Sequence, residues 1–350
     1  MWPVYLALGV LVSIVSGEER ACNNSPALCQ SSYDEVAYLG AHNSPFVRET
    51  STGWSSFGNQ YFNTTVQLDA GVRLLTAQVH AASYPATKAR ELRLCNSTCV
   101  LFDVGSFKDW LWEIRTWLDA HPNDVVTLVL VNFHFVDARE IEGEFARADI
   151  AHYGYVPANI TAAPPPSSEF SKTWPTLGEM IDKGERLLNE FDFVWENAYD
   201  VTSPSQFACT PDRPSNTTSV ADARSSGKLF FLNHLLYWQQ ALGIKLPDTR
   251  TIAETNAWDG NGGLGKHVRE CANQVGRQPA FVLVDFFNVG AAMKVVDAFN
   301  KVRSPKGRKE VSDKIMDTLT GQRRVSESSQ GFSGRTTALA FAIATVVIAL

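Results

Sequence analysis

Polar side chains recur directly after the apolar runs of this 350-residue chain. They are imidazoles, which exchange protons near neutral pH, and carboxylates and amides, which hold or orient such groups. An unpaired buried polar group costs about 1–3 kcal/mol, so recurrence at this one position predicts a shared polar site. The residues are His42 and Asn43, Asn132 and His134, Glu190 and Asp192, Asn233 and His234, and Asp285 and Asn288.

The apolar runs predict the elements that position these groups. Residues 125–131 are apolar on both faces, as in a strand that is covered on both sides. Amphipathic helices are predicted over 107–120 and 291–302, and their alternation with strands is typical of an α/β fold with a parallel sheet. The predicted strands are 36–39, 72–79, 92–95, 125–133, 186–191, 229–232 and 281–286.

Seven or eight strands in one domain favour a closed (β/α)8 barrel over an open doubly wound sheet. A dinucleotide-binding fold is disfavoured, because no glycine-rich phosphate loop opens a helix after an early strand. In a parallel barrel the chemistry lies at the carboxyl ends of the strands. The polar residues above are therefore predicted to meet at one face.

Composition and charge exclude several classes of protein. Hydrophobic residues make up 45% and charged residues 19% of the chain, which is enough apolar material for a packed core and excludes disorder of the whole chain. Lys and Arg total 31 against 37 Asp and Glu, a formal net charge of −6. Such a surface repels phosphate backbones, so we expect no nucleic-acid partner.

Both ends of the chain are apolar. Residues 1–17 predict a signal peptide, with a buried N-terminal helix as the alternative. The apolar tail 335–350 follows a polar stalk, 304–334, in which Ser326, Ser328, Ser329 and Gly331 are possible attachment residues. This order predicts a GPI anchor on the extracellular face, with a membrane-spanning tail anchor as the alternative. The domain between the ends is predicted to span 22–303.

The six cysteines are interpreted as disulfides, because an oxidising compartment disfavours free thiols. Six cysteines allow 15 connectivities, and proximity favours Cys22–Cys29 and Cys95–Cys99, which leaves Cys209–Cys271. A four-ligand zinc site is the weaker alternative, since no histidine lies at finger spacing from Cys95 and Cys99. Glycosylation sequons begin at Asn23, Asn63, Asn96, Asn159 and Asn216.

Several segments together resemble the fungal PLC-like phosphodiesterases of the phosphatidylinositol-specific phospholipase C superfamily. The resemblance spans about residues 22–303 and implies an irregular TIM-type barrel that cleaves phosphodiesters, with no cofactor. The segments are YDEVAYLGAHNS at 33–44, QLDAGVRLL at 67–75, LCNSTC at 94–99, LFDVGS at 101–106, residues 125–132 and FVLVDFF at 281–287.

The family chemistry carries over to some positions and fails at others. His42 matches the general base, and Asn43 matches its polar partner. The family's second histidine, the general acid, is replaced by Asn96, whose amide has no pKa near neutrality. Thr76 and Gln78 stand where relatives carry an Asp and an Arg or calcium-binding carboxylates, so we predict no metal site.

Other residues are candidates to compensate for these losses. Strand alternation places His80 on the same face as Thr76 and Gln78, as a replacement acid, and Arg93 is a candidate source of positive charge. Either Glu190 or Asp285 is a candidate to orient His42 or a loop. The full set of predicted catalytic residues is His42, Asn43, Asp285, His80 and Asn96, and the predicted substrate-binding residues are Asn132, Gln78, Arg93, Asn233 and His234.

Three functions remain open at this point. The first is a surface-anchored, monomeric phosphodiesterase that acts on a phosphodiester, a phosphoinositide-like molecule or a lipid head group. The second is a barrel that has lost catalysis and binds a head group, glycan or wall component. The third is a glycosidase, which needs two carboxylates about 5–9.5 Å apart, for which Glu190 and Asp285 are the candidate pair.

Overall fold

The computed structural model describes residues 19–83, 90–157, 173–189 and 193–315. The predicted signal peptide and the predicted anchor region lie outside these residues. Within the described ranges, no helix has both the length and the apolar character needed to cross a membrane.

Most strands belong to one sheet, and the helices lie between them along the chain. The strands are β1 Tyr38–Ala41, β2 Leu74–Ser83, β3 Arg90–Cys95, β4 Asp103–Ser106, β5 Val126–Asn132, β6 Leu187–Asn189, β7 Val194–Asn197, β8 Pro211–Arg213, β9 Leu229–His234, β10 Tyr237–Gln239, β11 Lys245–Pro247 and β12 Phe281–Val284. The helices are α1 Thr64–Asp69, α2 Phe107–Ala120, α3 Ala138–Arg147, α4 Leu177–Lys183, α5 Val220–Ser225, α6 Ile252–Thr255, α7 Leu264–Val275 and α8 Ala292–Phe299.

The sheet has a parallel centre with antiparallel additions. The parallel strands run in the order β6-β5-β2-β1-β12-β9-β7. The hairpin of β3 and β4 extends β2, and β8 pairs with β7. Within the described ranges, no pairing joins β6 to β7. The predicted α/β class with a parallel, irregular TIM-type sheet is confirmed.

Side-chain alternation divides the core into two layers. One layer fills the inside of the curved sheet and contains Leu74, Phe281 and Leu283. The other lies between the sheet and its helices. Gly40 of β1 allows the inner layer to close, because a Cβ there would lie 2.5 Å from Cδ2 of Leu74.

The predicted elements agree with the structure except at some ends. The helix predicted over 107–120 is α2 with the same bounds, capped by Ser106, whose hydroxyl accepts from the Asp109 amide. The helix predicted over 291–302 is shorter, at Ala292–Phe299. The run 92–95 forms an antiparallel hairpin strand, β3, and β7 was not predicted, because its four residues carry too short an apolar pattern.

Part of the predicted stalk packs on the domain. The Lys306 amide donates to the Asn24 carbonyl at 2.8 Å, and Arg308 forms two 2.7 Å contacts with Asp297. Lys309 pairs with Asp69 at 2.7 Å. Residues 306–309 of the predicted stalk therefore make specific contacts with the rest of the described domain.

The three predicted disulfides are confirmed. They are Cys22–Cys29, Cys95–Cys99 and Cys209–Cys271, and the described part of the chain holds no free cysteine. This complete pairing fits an oxidising, extracellular environment.

Candidate active site

A buried carboxylate holds one imidazole at the carboxyl end of the barrel. The Nδ1 atom of His42 lies 2.8 Å from Oδ1 of Asp285, and the side-chain exposures are 16% and 3%. Because a carboxylate only accepts hydrogen bonds, this contact places the proton on Nδ1 of a neutral His42 and leaves a lone pair on Nε2. His42 itself lines a cavity.

Each strand that carries this pair turns sharply after it. Asn43, directly after His42, has φ +50°, and Phe286, directly after Asp285, has φ +46°. Asparagine tolerates this left-handed region, whereas phenylalanine does so only when its surroundings impose it. Here the Phe286 amide donates to the Asn59 carbonyl at 2.8 Å, and its ring centroid lies 4.4 Å from that of Tyr61.

The loop residues Asn59 and Gln60 tie the two strand ends together. The Asn59 amide donates to Oδ1 of Asp285 at 2.8 Å. Gln60 donates to the carbonyls of His42 and Val284 at 2.9 and 3.2 Å and accepts from the Phe287 amide at 3.1 Å. Sequence reasoning missed both residues, because they follow no apolar run and carry no motif.

A chain of neutral amides continues from Asn59 along the cavity wall. Asn43 and Asn96 both donate to Oδ1 of Asn59 at 3.1 Å. Gln78 donates to the side-chain oxygens of Asn43 and Asn96 at 3.4 and 3.3 Å and accepts from the Ser97 amide at 3.0 Å. Asn96 also donates to the Phe57 carbonyl at 2.7 Å. Asn96 is thus held as a hydrogen-bonding group and offers no titrating proton.

The cavity has a volume of about 370 Å³ and three kinds of wall. The first, the polar wall, consists of His42, Asn43, Asn59, Thr76, Gln78 and Asn96. The second, the apolar wall, consists of Val129, Val131, Phe133, Phe231, Leu235 and Leu283. The third, the charged wall, consists of Glu196, Tyr199, Arg213, Asn233, Tyr237 and Lys245.

The cations of the charged wall are paired with carboxylates. Arg213 contacts Glu196 at 2.7 Å and lies 4.4 Å above the ring of Tyr199, and Lys245 pairs with Asp200. Asn233 donates to the other oxygen of Glu196 at 2.7 Å. The side chain of Arg213 is 53% exposed, so its guanidinium remains accessible to an anion in the cavity.

His80 does not join the cavity. Its ring stacks on Phe133 with centroids 4.5 Å apart, and its Nε2 atom is buried without a hydrogen-bond partner in the described structure. Burial, and to a lesser extent His134, lower the pKa of His80 to about 4. An imidazole with this pKa is uncharged at neutral pH and donates a proton poorly.

Three predicted substrate-binding residues also lie away from the cavity. Side-chain alternation in β9 points Asn233 inward and His234 outward, where its Nδ1 atom lies 2.9 Å from Nδ1 of His267. In β5 the same alternation turns Asn132 outward, and it bonds both backbone groups of Val136 at 2.8 Å. Arg93 pairs with Asp103 and Glu91 at 2.7 and 3.0 Å.

The remaining strand-end residues do not add to this site. The imidazole of His134 accepts from the Ala81 amide at 3.1 Å, and Asn288 donates to the Ser312 carbonyl at 2.8 Å. Glu190 and Asp192 lie outside the described residues, and with them the carboxylate pair of the glycosidase hypothesis.

The sequons differ in accessibility. Asn23 and Asn96 are only 5% and 8% exposed, and their side chains bond inside the fold, so neither amide is available for a glycan. Asn63 and Asn216 are exposed, and Asn159 lies outside the described residues. The side chain of Asn23 accepts from the buried Val125 amide.

The polar wall does not fit the calcium ion bound by some members of the superfamily. Its oxygens come from amides and a hydroxyl, and the nearby carboxylate, Asp285, is held by His42 and Asn59. Glu196 across the cavity is bonded on both oxygens. A hard dication prefers several anionic oxygen ligands, which this wall does not offer.

Comparisons with known proteins agree on one family. The family model for PI-PLC X 1 matches residues 28–300. A protein of Arthroderma benhamiae named PI-PLC X domain-containing protein 1 is 32% identical over 320 residues, 85% of this chain and 97% of that protein. A second protein of that fungus, described as an uncharacterized secreted protein, is 30% identical over 290 residues, 77% of this chain and 61% of its own length.

Solved structures of bacterial enzymes are also similar. The phosphatidylinositol-specific phospholipase C of Listeria monocytogenes matches with a TM-score of 0.46 and 13% identity, covering 78% of this chain and 94% of that one. A double mutant of the Staphylococcus aureus enzyme matches with a TM-score of 0.48 and 10% identity, covering 80% and 94%. On the match of the family model and the 32% identical relative, this chain belongs to the PI-PLC X-domain family.

Proposed function

We propose that this protein is a phosphoric diester hydrolase in which His42 is the general base. The observation that carries the proposal is the His42–Asp285 contact at the cavity, which leaves Nε2 of the neutral imidazole able to accept a proton. Membership of the PI-PLC X-domain family supports the same reaction class.

The reaction follows from this geometry. A hydroxyl of the substrate or of water gives its proton to Nε2 of His42 while its oxygen forms a bond to phosphorus. The bond from phosphorus to the leaving oxygen breaks, and that oxygen takes a proton from solvent. Arg213 and Lys245 are the cations of the charged wall that face the phosphoryl charge.

The missing acid determines which substrates are expected to react. Asn96 cannot protonate a leaving alkoxide, and burial raises the pKa of Tyr237 in the cavity well above its ordinary value. Without an acid, only a leaving group of low pKa departs readily. We therefore propose that the protein cleaves activated diesters far faster than diesters with alkoxide leaving groups.

The test compares two leaving groups. The purified protein is assayed on a 4-nitrophenyl diester and on an alkyl diester of the same phosphate. His42→Ala is assayed in the same way, and His152→Ala, at an exposed histidine, is the control. We expect His42→Ala to lose about 10²–10⁴-fold of the nitrophenyl rate and His152→Ala to keep it. Equal rates for His42→Ala and the parent would refute the assignment.

A second variant tests the role of position 96. Asn96→His supplies an acid, so we expect it to raise the rate on the alkyl diester and to leave the nitrophenyl rate nearly unchanged. A parent protein that hydrolyses neither diester would favour the second candidate function, a barrel that binds its ligand without turnover. The neutral amide chain of Asn43, Asn59, Gln78 and Asn96 is the observation that supports this candidate.

We further propose that the protein acts as a monomer at the extracellular face, held by a GPI anchor. The complete pairing of the described cysteines and the secreted description of one relative support export from the cell. The anchor rests on the sequence of the C-terminal region alone. Release of the protein from intact cells by a GPI-cleaving enzyme is the measurement that tests it.

A further inference from the structure

The apolar wall of the cavity is a continuous surface on consecutive inward positions. Val129 and Val131 belong to β5, and Phe133 follows its end, so alternation points all three inward. Phe231 and Leu283 complete the wall from β9 and β12, where they also belong to the inner core layer. The apolar wall is therefore the surface of the inner core layer that faces the cavity.

The polar and apolar walls meet at adjacent strands. In the register of β2 and β5, Thr76 lies beside Val129 and Gln78 beside Val131. At each of these two levels, a hydrogen-bonding side chain of β2 thus has a valine of the adjacent strand β5 as its neighbour. The cavity changes from polar to apolar over the spacing of one strand, about 4.8 Å.

The upper part of the apolar wall is open to the cavity. Val131 is 45% and Phe133 48% exposed, whereas Val129 and Phe231 below them are 8% and 4% exposed. A polyol that filled this cavity would press hydroxyls against these side chains. Each such hydroxyl would lose its water without gaining a hydrogen-bond partner, which disfavours its binding.

An amphiphilic ligand complements the apolar and charged walls at once. The amides of the polar wall already hydrogen-bond one another, so they need no hydroxyl from the ligand. A hydrocarbon group covers the valines and Phe133, an anionic phosphate complements Arg213 and Lys245, and the scissile bond comes to lie at His42. The complementarity of charge and polarity thus favours a ligand with an apolar end and an anionic end.

We infer that the cavity binds the hydrocarbon group of an amphiphilic phosphodiester on Val129, Val131 and Phe133, and that it does not select a polyol head group. This inference rests on the proposed function, because it assigns the substrate class of the same site. The apolar group lies inside the barrel mouth, beside the reacting phosphate.

The test measures binding without turnover. Butyl, hexyl and octyl phosphate and myo-inositol 1-phosphate are titrated into the full-length protein by calorimetry, below their aggregation limits. We expect the dissociation constant to fall about fourfold for each methylene that enters the cavity, with a negative heat-capacity change. We also expect inositol phosphate to bind more weakly than hexyl phosphate.

A matched pair of variants locates the contact. Val131→Asn is expected to weaken the binding of octyl phosphate about tenfold. Val156→Asn changes a 72% exposed valine that does not line the cavity, and it is expected to bind as the parent does. Thermal unfolding of both variants checks that the fold is intact.

Two results would overturn the inference: a dissociation constant independent of chain length, or tighter binding of inositol phosphate than of hexyl phosphate. The proposed function fails separately. Chain-length-dependent binding in a protein that hydrolyses no diester would end the hydrolase proposal and support the apolar site. Hydrolysis with no preference for apolar substrates would support the hydrolase proposal and end the proposal of an apolar site.

Discussion

At the scale of single residues, the site depends on a buried carboxylate that holds one tautomer of His42. Oδ1 of Asp285 faces both Nδ1 of His42 and the Asn59 amide, and Oδ2 is buried without a hydrogen-bond partner in the described structure. This arrangement lowers the stability of the fold, because the buried carboxylate of Asp285 is poorly compensated. A carboxylate at this buried position fits the proposed role of Asp285 in positioning the base.

Asp285→Asn tests this positioning role. An asparagine at 285 keeps an oxygen for Nδ1 of His42 and for the Asn59 amide, but it removes the negative charge that stabilises the imidazolium formed when His42 accepts a proton. We expect kcat/KM for the nitrophenyl diester to fall about 10²–10⁴-fold, with KM nearly unchanged, as for the loss of a general base.

The control for this variant is Asp182→Asn, whose side chain is 67% exposed and pairs with Arg20. It is expected to keep the parent rate and the parent pH profile. If Asp285→Asn retained the parent kcat/KM, the hydrogen bond to His42 would have no catalytic role.

At the scale of elements, alternation in β9 separates a polar cavity residue from a buried histidine pair. Asn233 faces the cavity, whereas His234 packs against α7, where it meets His267 and stacks on Phe207 with centroids 4.1 Å apart. Burial, and secondarily the charge of His267, lower the pKa of His234 to about 3. Burial lowers the pKa of His267 to about 4.

The stability of the fold is therefore expected to fall in mild acid. Both pKa values lie below the value of about 6.5 in the unfolded chain. At a pH between these values, the unfolded chain therefore binds more protons than the folded chain. The contribution is fully present above pH 6.5 and is lost as the pH falls toward 4 and then 3. Each histidine removes up to about 1.4 kcal/mol of unfolding free energy per pH unit in that window.

Guanidinium unfolding at pH 7 and pH 5 measures this loss. His267→Asn keeps a polar partner for His234 but does not titrate, so its unfolding free energy is expected to fall less between the two pH values. His152→Asn, at a half-exposed side chain, is the control and keeps the parent slope. Identical slopes for all three proteins would rule out the buried pair as the acid-sensitive element.

At the scale of the whole molecule, the segment after α8 is held on the rest of the domain by specific contacts. Arg308 forms a two-contact ion pair with Asp297, with side-chain exposures of 15% and 16%, Lys306 bonds Asn24, and Lys309 bonds Asp69 at the end of α1. A partly buried, bidentate pair of this kind stabilises more than an exposed one.

Arg308→Met is expected to lower the unfolding free energy by about 2 kcal/mol, because it leaves Asp297 partly buried without its cation. We also expect faster tryptic cleavage at Lys306 and Lys309, as the segment loses its main attachment. Arg303→Met, at an exposed arginine nearby, is the control. Unchanged stability and cleavage in Arg308→Met would mean that residues 304–309 behave as the stalk that their composition predicts.

Much of this organisation is readable from the amino-acid sequence, because it depends on local patterns. The apolar runs predicted the parallel sheet, and the amphipathic pattern of residues 107–120 predicted α2 to both ends. Cysteine spacing favoured the observed disulfides, since two of the three close short loops. Strand-end positions pointed to His42 and Asp285, because parallel strands bring their carboxyl ends to one edge.

Only the tertiary structure decided which strand-end groups face one another. His234 and Asn132 lie one residue from inward positions, and the two-residue period of a strand turns them to the opposite face. Asn59 and Gln60 come from a loop with no periodic pattern, so their contacts with Asp285 and Val284 depend on chain closure across more than two hundred residues. Local sequence determines the elements, whereas long-range packing determines the chemistry that they bring together.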